Sequence, residues 1–484
     1  MHIVQIGPEL APIAKVGGLG DVVYGLSKAL IHEKHSVEII LPKYAMINLS
    51  SPMVRVKKTF TAGHLFITHI SYENLSITLL DSDKLKKFFS RDLIYGYPDD
   101  IERFLEFCES VIFYLSHSQK KPDIIHIHDW ASAAIAPLWK LQSSDKKPAI
   151  FLNIHNLEYQ GKCPQKELSN PLLQKIAPCI QDPHDPKYIN LLLSGIEFAD
   201  EVVTVSPSYE KEIMTLQGGY GLQNELLKYS HKVHGILNGI DLEYWNPAKD
   251  PYLKAHYHTH PPFTPQKLEK IKQAKLENRK ELSKLMGLSE KNAPLVSCIT
   301  RIVWQKGPRL IRHAMFRAIE KKGQFILLGS THSPDLKKEF EALRNEVKNY
   351  PDVAILLDKQ DHIANLIYAS SDMLIIPSIF EPCGLTQMIA MRYGTIPVAR
   401  RTGGLQDTVF DIDMESAPES KRNGFTFDHP DPQGVDWALD RAIDAWYNRR
   451  EKWEALMQNG MSTDFSWVKA VKHYLDLYSK AIIV

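Results

Sequence analysis

Two glycine-bearing segments in opposite halves of the chain have the residue types that bind phosphate. Segment 15–21 has the sequence KVGGLGD, segment 381–386 has the sequence EPCGLT, and Arg301 and Lys306 stand between them. Glycine-bearing turns that open a helix expose backbone N–H groups, which bind anions together with cationic side chains. The pattern predicts a diphosphate held by two domains, and therefore an enzyme that acts on a nucleotide-linked substrate.

The first segment has the glycines of a dinucleotide-binding fingerprint, but it does not directly follow a strand as that fingerprint does. Residues 7–14 separate it from the strand predicted at 2–6, whereas a nicotinamide-binding fingerprint follows its strand immediately. This spacing argues against a Rossmann oxidoreductase. What remains is Lys15 beside flexible backbone amides at the start of a helix, which favours an anion site. For this segment alone, a glycine-rich turn with a solvated lysine stays an alternative.

Arg301 and Lys306 follow a buried strand predicted at 295–299. Arginine offers a rigid fork of N–H groups and lysine a mobile point charge, so the pair can neutralise a diphosphate as its bond to a sugar breaks. Alone, such a pair is more often a surface feature. Its place at the carboxyl end of a strand favours a ligand, because open α/β sheets bind ligands at that edge.

Glu381 follows a second buried strand, predicted at 373–376, and precedes a helix that Gly384, Leu385 and Thr386 open. A carboxylate, free amides and a hydroxyl at one turn can bind sugar hydroxyls and phosphate oxygens side by side. A solvated acid that caps the helix is the alternative. A generic cap, however, needs neither the proline nor the cysteine of this segment.

Hydrogen-bonding side chains also end two neighbouring strands of the first half. The strand predicted at 124–128 ends in His126, His128 and Asp129, and the strand predicted at 149–154 is followed by His155 and Asn156. Alternate histidines suggest a metal, but no third ligand stands at helical spacing. A polyhydroxylated ligand suits these residues better. We likewise expect no metal at the histidines of a proline-rich stretch, His256, His258 and His260.

The composition narrows the class of protein. The 484 residues carry 58 Lys and Arg against 57 Asp and Glu, so no overall field attracts nucleic acid or an acidic membrane. The five cysteines form no CxxC pair, which suits a reducing compartment. The chain begins with a strand-like segment, and no stretch reaches the ~20 apolar residues that span a bilayer. We therefore expect a cytoplasmic protein with neither nucleic-acid nor membrane partners.

Strands alternate with helices almost throughout the chain. The apolar runs lie at 2–6, 36–41, 65–70, 75–80, 124–128, 149–154 and 201–205 in the first half, and at 295–299, 324–328, 353–357, 373–376 and 396–399 in the second. Such runs separated by helical patterns are typical of parallel sheets covered on both faces. Two doubly wound α/β domains are the simplest account, with a boundary near residues 238–241.

A series of short motifs along almost the whole chain resembles the bacterial glycogen synthases and the plant starch synthases. The motifs lie at 15–21, 128–130 (HDW), 155–156 (HN), 205–209 (VSPSY), 219–222, 238–241 (NGID), 301–307, 377–386, 402–409 (TGGLQDTV) and 464–467 (DFSW). Any one of them is moderate evidence, whereas the whole set in this order and spacing identifies the chain as a member of that family.

The resemblance implies the GT-B glycosyltransferase fold, an α/β fold in which two doubly wound Rossmann-like domains face a central cleft. For this chain it implies an acceptor-side domain at 1–241 and a donor-side domain at 242–460. Residues 461–484 would form a last helix that packs back on the first domain.

The resemblance further implies a hexosyltransferase that moves glucose from a nucleotide-diphosphate glucose to the non-reducing end of an α-1,4-glucan. Glycogen grows in this way, and the α configuration is kept. The implied diphosphate ligands are Lys15, the amide of Gly18, Arg301, Lys306 and the amides of Leu385 and Thr386. The implied glucose contacts are Asp129, His155, Asn238, Glu381, Cys383 and Gly384, with Asp21 near the glucan. Glu381, Arg301, Lys306, His155 and Asp129 would be catalytic. No cofactor or metal is implied, since the cations supply the positive charge.

The base of the donor stays open. Where the ADP-glucose enzymes commonly place an aromatic ring against adenine, this chain has Lys359, and a lysine does not stack as a ring does. ADP-glucose is the implied donor, and UDP-glucose is an alternative. Another GT-B enzyme, such as a phosphorylase or a sucrose synthase, and a noncatalytic glucan-binding protein also stay open. A noncatalytic protein, however, would have no use for Lys15, Arg301 and Lys306.

Overall fold

The chain folds as two compact units. One contains Met1–Gly239 and Trp467–Val484, and we call it the amino-terminal unit; the other, Ile240–Ser466, is the carboxyl-terminal unit. The computed structural model describes residues 1–141, 148–168, 170–357 and 361–483. Each unit has a sheet of mostly or wholly parallel strands, which confirms the predicted α/β class.

A nine-stranded sheet forms the centre of the amino-terminal unit. The strands of the unit are β1 (His2–Ile6), β2 (Ser36–Pro42), β3 (Val54–Ala62), β4 (Leu65–Tyr72), β5 (Leu75–Asp81), β6 (Ile124–His128), β7 (Ala149–Ile154), β8 (Lys162–Pro164), β9 (Tyr188–Asn190), β10 (Glu201–Thr204) and β11 (Val233–Gly235). The sheet order is β11-β10-β7-β6-β1-β2-β5-β4-β3, and β8 pairs with β9. Strand β1 lies in the middle, and all of its residues are buried.

The helices of the amino-terminal part follow the strands as doubly wound folds require. They are α1 (Gly18–His32), α2 (Asp83–Phe89), α3 (Asp100–His117), α4 (Trp130–Ala133), α5 (Ile135–Lys140), α6 (Pro171–Ile176), α7 (Leu191–Phe198), α8 (Pro207–Ile213) and α9 (Gln223–Lys228). Short 3-10 turns occur at Gln165–Glu167, Ala177–Cys179 and Ser230–Lys232.

One edge of this sheet differs from the predicted parallel pattern. Strands β3, β4 and β5 pair antiparallel. Only the two residues Glu73 and Asn74 connect β4 to β5, and so short a connection allows an antiparallel pair alone. Strand β3 was not predicted, because its residues are mostly exposed and it has no apolar run. Its exposed lysines suit an edge strand.

The carboxyl-terminal unit has a six-stranded, entirely parallel sheet. Its strands are β12 (Leu295–Arg301), β13 (Gln324–Ser330), β14 (Val353–Leu356), β15 (Met373–Ile376), β16 (Ile396–Arg400) and β17 (Phe425–Phe427), in the order β14-β13-β12-β15-β16-β17. Its helices are α10 (Pro265–Met286), α11 (Pro308–Glu320), α12 (Pro334–Val347), α13 (Asp361–Ser370), α14 (Thr386–Arg392), α15 (Gly403–Thr408), α16 (Pro432–Asn448) and α17 (Arg450–Ser462), with 3-10 turns at Trp304–Lys306 and Glu419–Lys421.

The last helix, α18 (Trp467–Ile483), belongs to the amino-terminal unit, as the fold class predicts. It packs on α1, where Gly25 leaves the space that the Trp467 indole fills. Farther along, the ring of Tyr478 is fully buried, and its hydroxyl lies 2.6 Å from Nδ1 of His126 on β6. The end of the chain thereby covers the middle of the sheet.

None of the helices in the described part of the chain is both long enough and apolar enough to span a bilayer.

We expect Gly25→Ala to destabilise the amino-terminal unit. A Cβ at this position would lie 1.9 Å from Nε1 of Trp467, so the two helices must separate, and overpacking of this kind costs about 1–3 kcal/mol. Urea denaturation measures the loss. In a Trp467→Leu background the same glycine change should cost much less, because the clashing ring is gone. Equal losses in both backgrounds would show that the contact does not determine the effect.

Candidate active site

The predicted site residues fall into two clusters, one in each unit. In the amino-terminal unit they follow β1, β6 and β7, which are neighbouring parallel strands. In the carboxyl-terminal unit they follow β12 and β15, which also pair in parallel. The carboxyl ends of such strands meet at one edge of a sheet, which is the ligand-binding edge of open α/β folds.

Glu9 organises the glycine-bearing loop after β1. Its carboxylate is almost fully buried, and Oε2 accepts the N–H groups of Val16 at 2.7 Å and Gly17 at 2.8 Å. The other oxygen accepts the Tyr95 hydroxyl at 3.0 Å. The loop is therefore held in one shape just before α1 begins at Gly18. Sequence analysis missed Glu9, although an acid directly after a central strand and before a glycine cluster was a usable signal.

Lys15 and Asp21 form an ion pair at the start of α1. Their Nζ and Oδ1 atoms are 2.8 Å apart, and each side chain is about one-third exposed, at 34% and 35%. A pair this accessible contributes little to stability. An incoming anion can therefore draw Lys15 away from Asp21 at small cost.

Asp129 follows β6 in a strained backbone conformation. Its φ of 56° and ψ of −175° lie in a region that is essentially reserved for glycine. The surroundings hold it there: its N–H donates to the Asn153 carbonyl at 2.9 Å, and its Oδ1 accepts the N–H of His155 at 2.7 Å. Strain of this kind is found chiefly at functional sites.

Burial raises the pKa of Asp129 to about 7, and the charge of Glu9 adds to the rise. The N–H groups of His155 and Asn156 oppose it by stabilising the carboxylate. A Cβ at Gly7, the first residue after β1, would lie 3.3 Å from Cβ of His128 at the end of β6, so these two segments lie together. Asp129 thus changes charge close to neutral pH.

Three histidine rings lie in a row at the ends of β6 and β7. His128 Nδ1 is 2.9 Å from His155 Nε2, and the rings of His126 and His128 stack with centroids 4.7 Å apart. Burial lowers the pKa of His126 and of His155 to about 3 and that of His128 well below its ordinary value. Neutral rings in this setting are hydrogen-bonding groups. Within the described ranges, no three His, Cys, Asp or Glu side chains are grouped as metal ligands.

Asn238 lies at the end of the amino-terminal segment of this unit, just after β11. It is buried, and within the described residues its carboxamide oxygen has no hydrogen-bond partner. A buried oxygen without a hydrogen bond destabilises the folded protein unless a ligand or a water molecule donates to it.

In the carboxyl-terminal unit, Lys306 and Glu381 form a direct ion pair. The side chains are 17% and 8% exposed, so the charges are largely removed from solvent. Glu381 Oε2 also accepts the Ser378 hydroxyl at 2.9 Å. The two loops are joined further by the Ile379 N–H, which donates to the Gln305 carbonyl at 2.8 Å. Arg301 ends β12 with an exposed side chain.

The segment that contains Cys383 and Gly384 packs closely against Gly404 of the next loop. The N–H of Gly404 lies 3.1 Å from the carbonyls of both Glu381 and Pro382, and a Cβ at Gly404 would approach the Cys383 carbonyl to 2.2 Å. Gly384 has a φ of 72°, which an L side chain rarely adopts. The observed backbone of the segment therefore depends on glycine at both position 384 and position 404.

Gln387 holds the same segment from the other side. Its fully buried amide nitrogen donates to the carbonyls of Gly384 at 2.8 Å and Cys383 at 3.1 Å. Leu385 caps α14 and Thr386 is its first residue. Sequence analysis missed both Gln387 and Ser378, since a glutamine inside a helix and a serine after a strand carry no distinctive pattern. Lys359 lies outside the described residues.

We expect Asp129→Asn to change the pH dependence of stability. Asparagine tolerates positive φ and can accept the same N–H, but it does not ionise. Because the folded protein raises the pKa of Asp129 from 3.8 to about 7, it favours the protonated acid, and wild-type stability should fall as pH rises between those values. Relative to wild type, the variant should therefore gain stability over that range. Urea denaturation at pH 4.5 and pH 8 measures this, and a constant difference would contradict the raised pKa.

Comparisons with known proteins agree along the whole chain. The family described as "Starch synthase catalytic domain" matches residues 2–228, and the family "Glycosyl transferases group 1" matches residues 280–460. A glycogen synthase of Protochlamydia amoebophila is 44% identical, with 99% of each chain covered. A probable starch synthase 4 of Arabidopsis thaliana is also 44% identical over 100% of this chain, which spans 47% of the plant protein.

The solved structures include the catalytic domain of starch synthase IV from Arabidopsis thaliana, bound to ADP and acarbose. It is 43% identical, with a TM-score of 0.93, and the match covers 100% of this chain and 99% of that one. The chain thus belongs to the glycogen and starch synthase family, whose members are hexosyltransferases with the GT-B fold.

Proposed function

We propose that this chain transfers glucose from ADP-glucose to the non-reducing end of an α-1,4-glucan and keeps the α configuration at the anomeric carbon. The observation that carries the proposal is the largely buried pair of Lys306 and Glu381 at adjoining strand ends. A cation for phosphate and a carboxylate for sugar stand there in direct contact. The ADP in the related starch synthase structure supports the choice of nucleotide.

The diphosphate is assigned to the cations of the carboxyl-terminal unit. As the bond from the anomeric carbon to the phosphate oxygen breaks, the diphosphate gains negative charge, and fixed positive groups stabilise that charge without reorganisation. Arg301 is exposed and available for this role. Lys306 must exchange Glu381 for phosphate oxygens. That exchange leaves the Glu381 carboxylate able to accept a hydrogen bond from a hydroxyl of the sugar. Donor binding therefore places Lys306 on the phosphate and Glu381 on the sugar in the same step.

Each unit by itself has polar groups that are assigned to glucose. Asp129, His155 and Asn238 offer a carboxyl group, an imidazole and an unsatisfied carboxamide oxygen, and Glu381, Cys383 and Gly384 offer the turn after β15. A carboxylate near the anomeric carbon stabilises the positive sugar that forms as the bond breaks. Lys15 and the Gly18 amide are assigned to phosphate, with the amides of Leu385 and Thr386, and Asp21 to the glucan.

In the proposed reaction, the proton passes directly from the acceptor to the departing diphosphate, so no side chain has to carry it. The 4-hydroxyl oxygen of the acceptor forms a bond to the anomeric carbon on the face that the diphosphate leaves. The hydroxyl proton passes to the departing phosphate oxygen. Attack on that same face keeps the α configuration, and the products are ADP and a glucan longer by one residue.

We further propose that the protein works in the cytoplasm. None of its five cysteines, all of which lie in the described ranges, forms a disulfide, and four of them are buried. Cysteines without disulfides suit a reducing compartment.

Release of nucleoside diphosphate tests the proposed reaction. Purified protein should release ADP from ADP-glucose in a glycogen-dependent manner, and EDTA should not prevent release. UDP-glucose, assayed in parallel, reports the base preference that Lys359 leaves open. No release from either donor by folded protein would overturn the proposed reaction, and release without glycogen would show hydrolysis instead of transfer.

We expect Arg301→Ala and Lys306→Ala each to raise the barrier by ~2–4 kcal/mol, the range for one preorganised charge partner of a transition state. Steady-state kinetics with saturating donor measure the effect. Arg344→Ala, which removes an exposed arginine on α12, is the matched control and should change little. Because Lys306→Ala also leaves Glu381 without its cation, a thermal melt must accompany it. A change confined to glucan affinity would contradict the assignment to phosphate.

A further inference from the structure

An exposed tryptophan lies between the two cations of the carboxyl-terminal cluster. Arg301 is the last residue of β12, and Trp304 begins the 3-10 turn that ends at Lys306. Trp304 is 62% exposed. A single exposed apolar side chain is ordinary on a protein surface, so the neighbours of this ring decide whether it has a role.

The backbone that follows Trp304 is fixed against the loop after β15. The Gln305 side chain is buried, and its amide nitrogen donates to the Phe380 carbonyl at 3.3 Å. Gly307 has a φ of 66°, and a Cβ at this position would lie 2.5 Å from the Pro377 carbonyl oxygen. The exposed indole therefore projects from an anchored turn.

A second aromatic ring lies beside Trp304. The ring of Phe380 has its centroid 6.2 Å from that of the indole, and the two ring planes are inclined by 46°. Rings in this arrangement are not stacked face to face, so Phe380 does not cover the indole as a stacked ring would. We call these two rings the Trp304 patch. Its members are close neighbours in sequence of Lys306 and Glu381, which form the buried ion pair of the site.

The order of the groups in the donor indicates which ligand contacts the patch. In a nucleotide-diphosphate glucose, the ribose and both phosphates separate the base from the glucose. Lys306 is assigned to phosphate and Glu381 to the sugar, and Phe380 directly precedes Glu381. The patch therefore belongs to the sugar side of the site, where a glucan must approach the anomeric carbon.

An α-1,4-glucan also suits the patch chemically. Each of its pyranose rings has a face of C–H groups, which can pack on an aromatic ring, and hydroxyl groups that stay in water or reach polar side chains. Burial of that apolar face is favourable. Because the glucan is uncharged, it leaves Arg301 and Lys306 to the diphosphate.

We propose that Trp304, with Phe380 beside it, binds a glucose residue of the α-1,4-glucan by stacking of the indole on the C–H face of the sugar. The inference rests on the proposed function, because that function assigns Lys306 to phosphate and Glu381 to the sugar. Trp304 takes no part in breaking or forming a bond. It contributes affinity for the glucan at the place where transfer occurs.

Electrophoresis in native gels that contain glycogen tests this contact without catalysis. Trp304→Ala should bind glycogen about 5- to 10-fold more weakly than wild type, because one face of a large apolar ring is no longer available for burial. Trp304→Tyr keeps an aromatic ring and should restore most of the affinity. Trp437→Ala is the matched control and should bind like wild type, since Trp437 is 64% exposed on α16, a helix that supplies no residue to the candidate site.

Three results of the glycogen gels would overturn the proposal: wild-type protein that glycogen does not retard, unchanged affinity in Trp304→Ala, or equal weakening in Trp304→Ala and Trp437→Ala. A thermal melt must show that each variant is folded. If Trp304→Ala does not fold, Trp304→Gln takes its place, because it removes the ring but keeps a long side chain.

Calorimetry with ADP separates the glucan from the nucleotide base. Trp304→Ala should bind ADP as wild type does, and it should raise the KM for glycogen far more than it lowers kcat. Weaker binding of ADP with unchanged binding of glycogen would assign the ring to the base and overturn the proposal. Failure of the proposed function alone would appear differently, as wild-type protein that binds glycogen through Trp304 but transfers no glucose.

Discussion

Parallel pairing of the central strands is the constraint on which both candidate clusters depend. Strands β1, β6 and β7 run in one direction, so the Glu9 loop, Asp129 and His155 all lie at the same edge of the sheet. The direction of the strands is sufficient to place them there. The pairing of β12 with β15 does the same for Lys306 and Glu381. Apolar burial of the strands stabilises the edge, and polar side chains need only follow a strand to reach it.

The polar side chains at these sheet edges are held in conformations and charge states that reduce the stability of the fold. Asp129 has a strained backbone and a raised pKa, and Lys306 and Glu381 satisfy each other's charge away from solvent. Breaking a pair of this kind by removing one partner is costly, whereas a ligand that replaces the partner is not penalised in the same way. The two charges thus suit a substrate that has an anionic group for Lys306 and hydroxyl groups for Glu381.

Much of the framework could be predicted from the sequence, because buried parallel strands are continuous apolar runs. The polar edge strand β3 escaped this pattern, and the antiparallel pairing of β4 with β5 was set by a two-residue connection. Residues next to strand ends, such as Arg301 and Glu381, were visible as candidates. Supporting residues such as Glu9, Ser378 and Gln387 were not, since their roles depend on backbone groups that only the folded chain brings near. The predicted roles of the site residues stay predictions.

The central claim is that Glu381 and the diphosphate compete for Lys306, and ADP binding to Glu381→Gln tests it most directly. Glutamine keeps the size of the side chain but removes the charge that holds Lys306. Calorimetry in the presence of EDTA should therefore show ADP bound at least as tightly as by wild type, while glucose transfer is lost. Weaker ADP binding by folded Glu381→Gln would contradict the account, because it would mean that the carboxylate supports the nucleotide instead of competing with it.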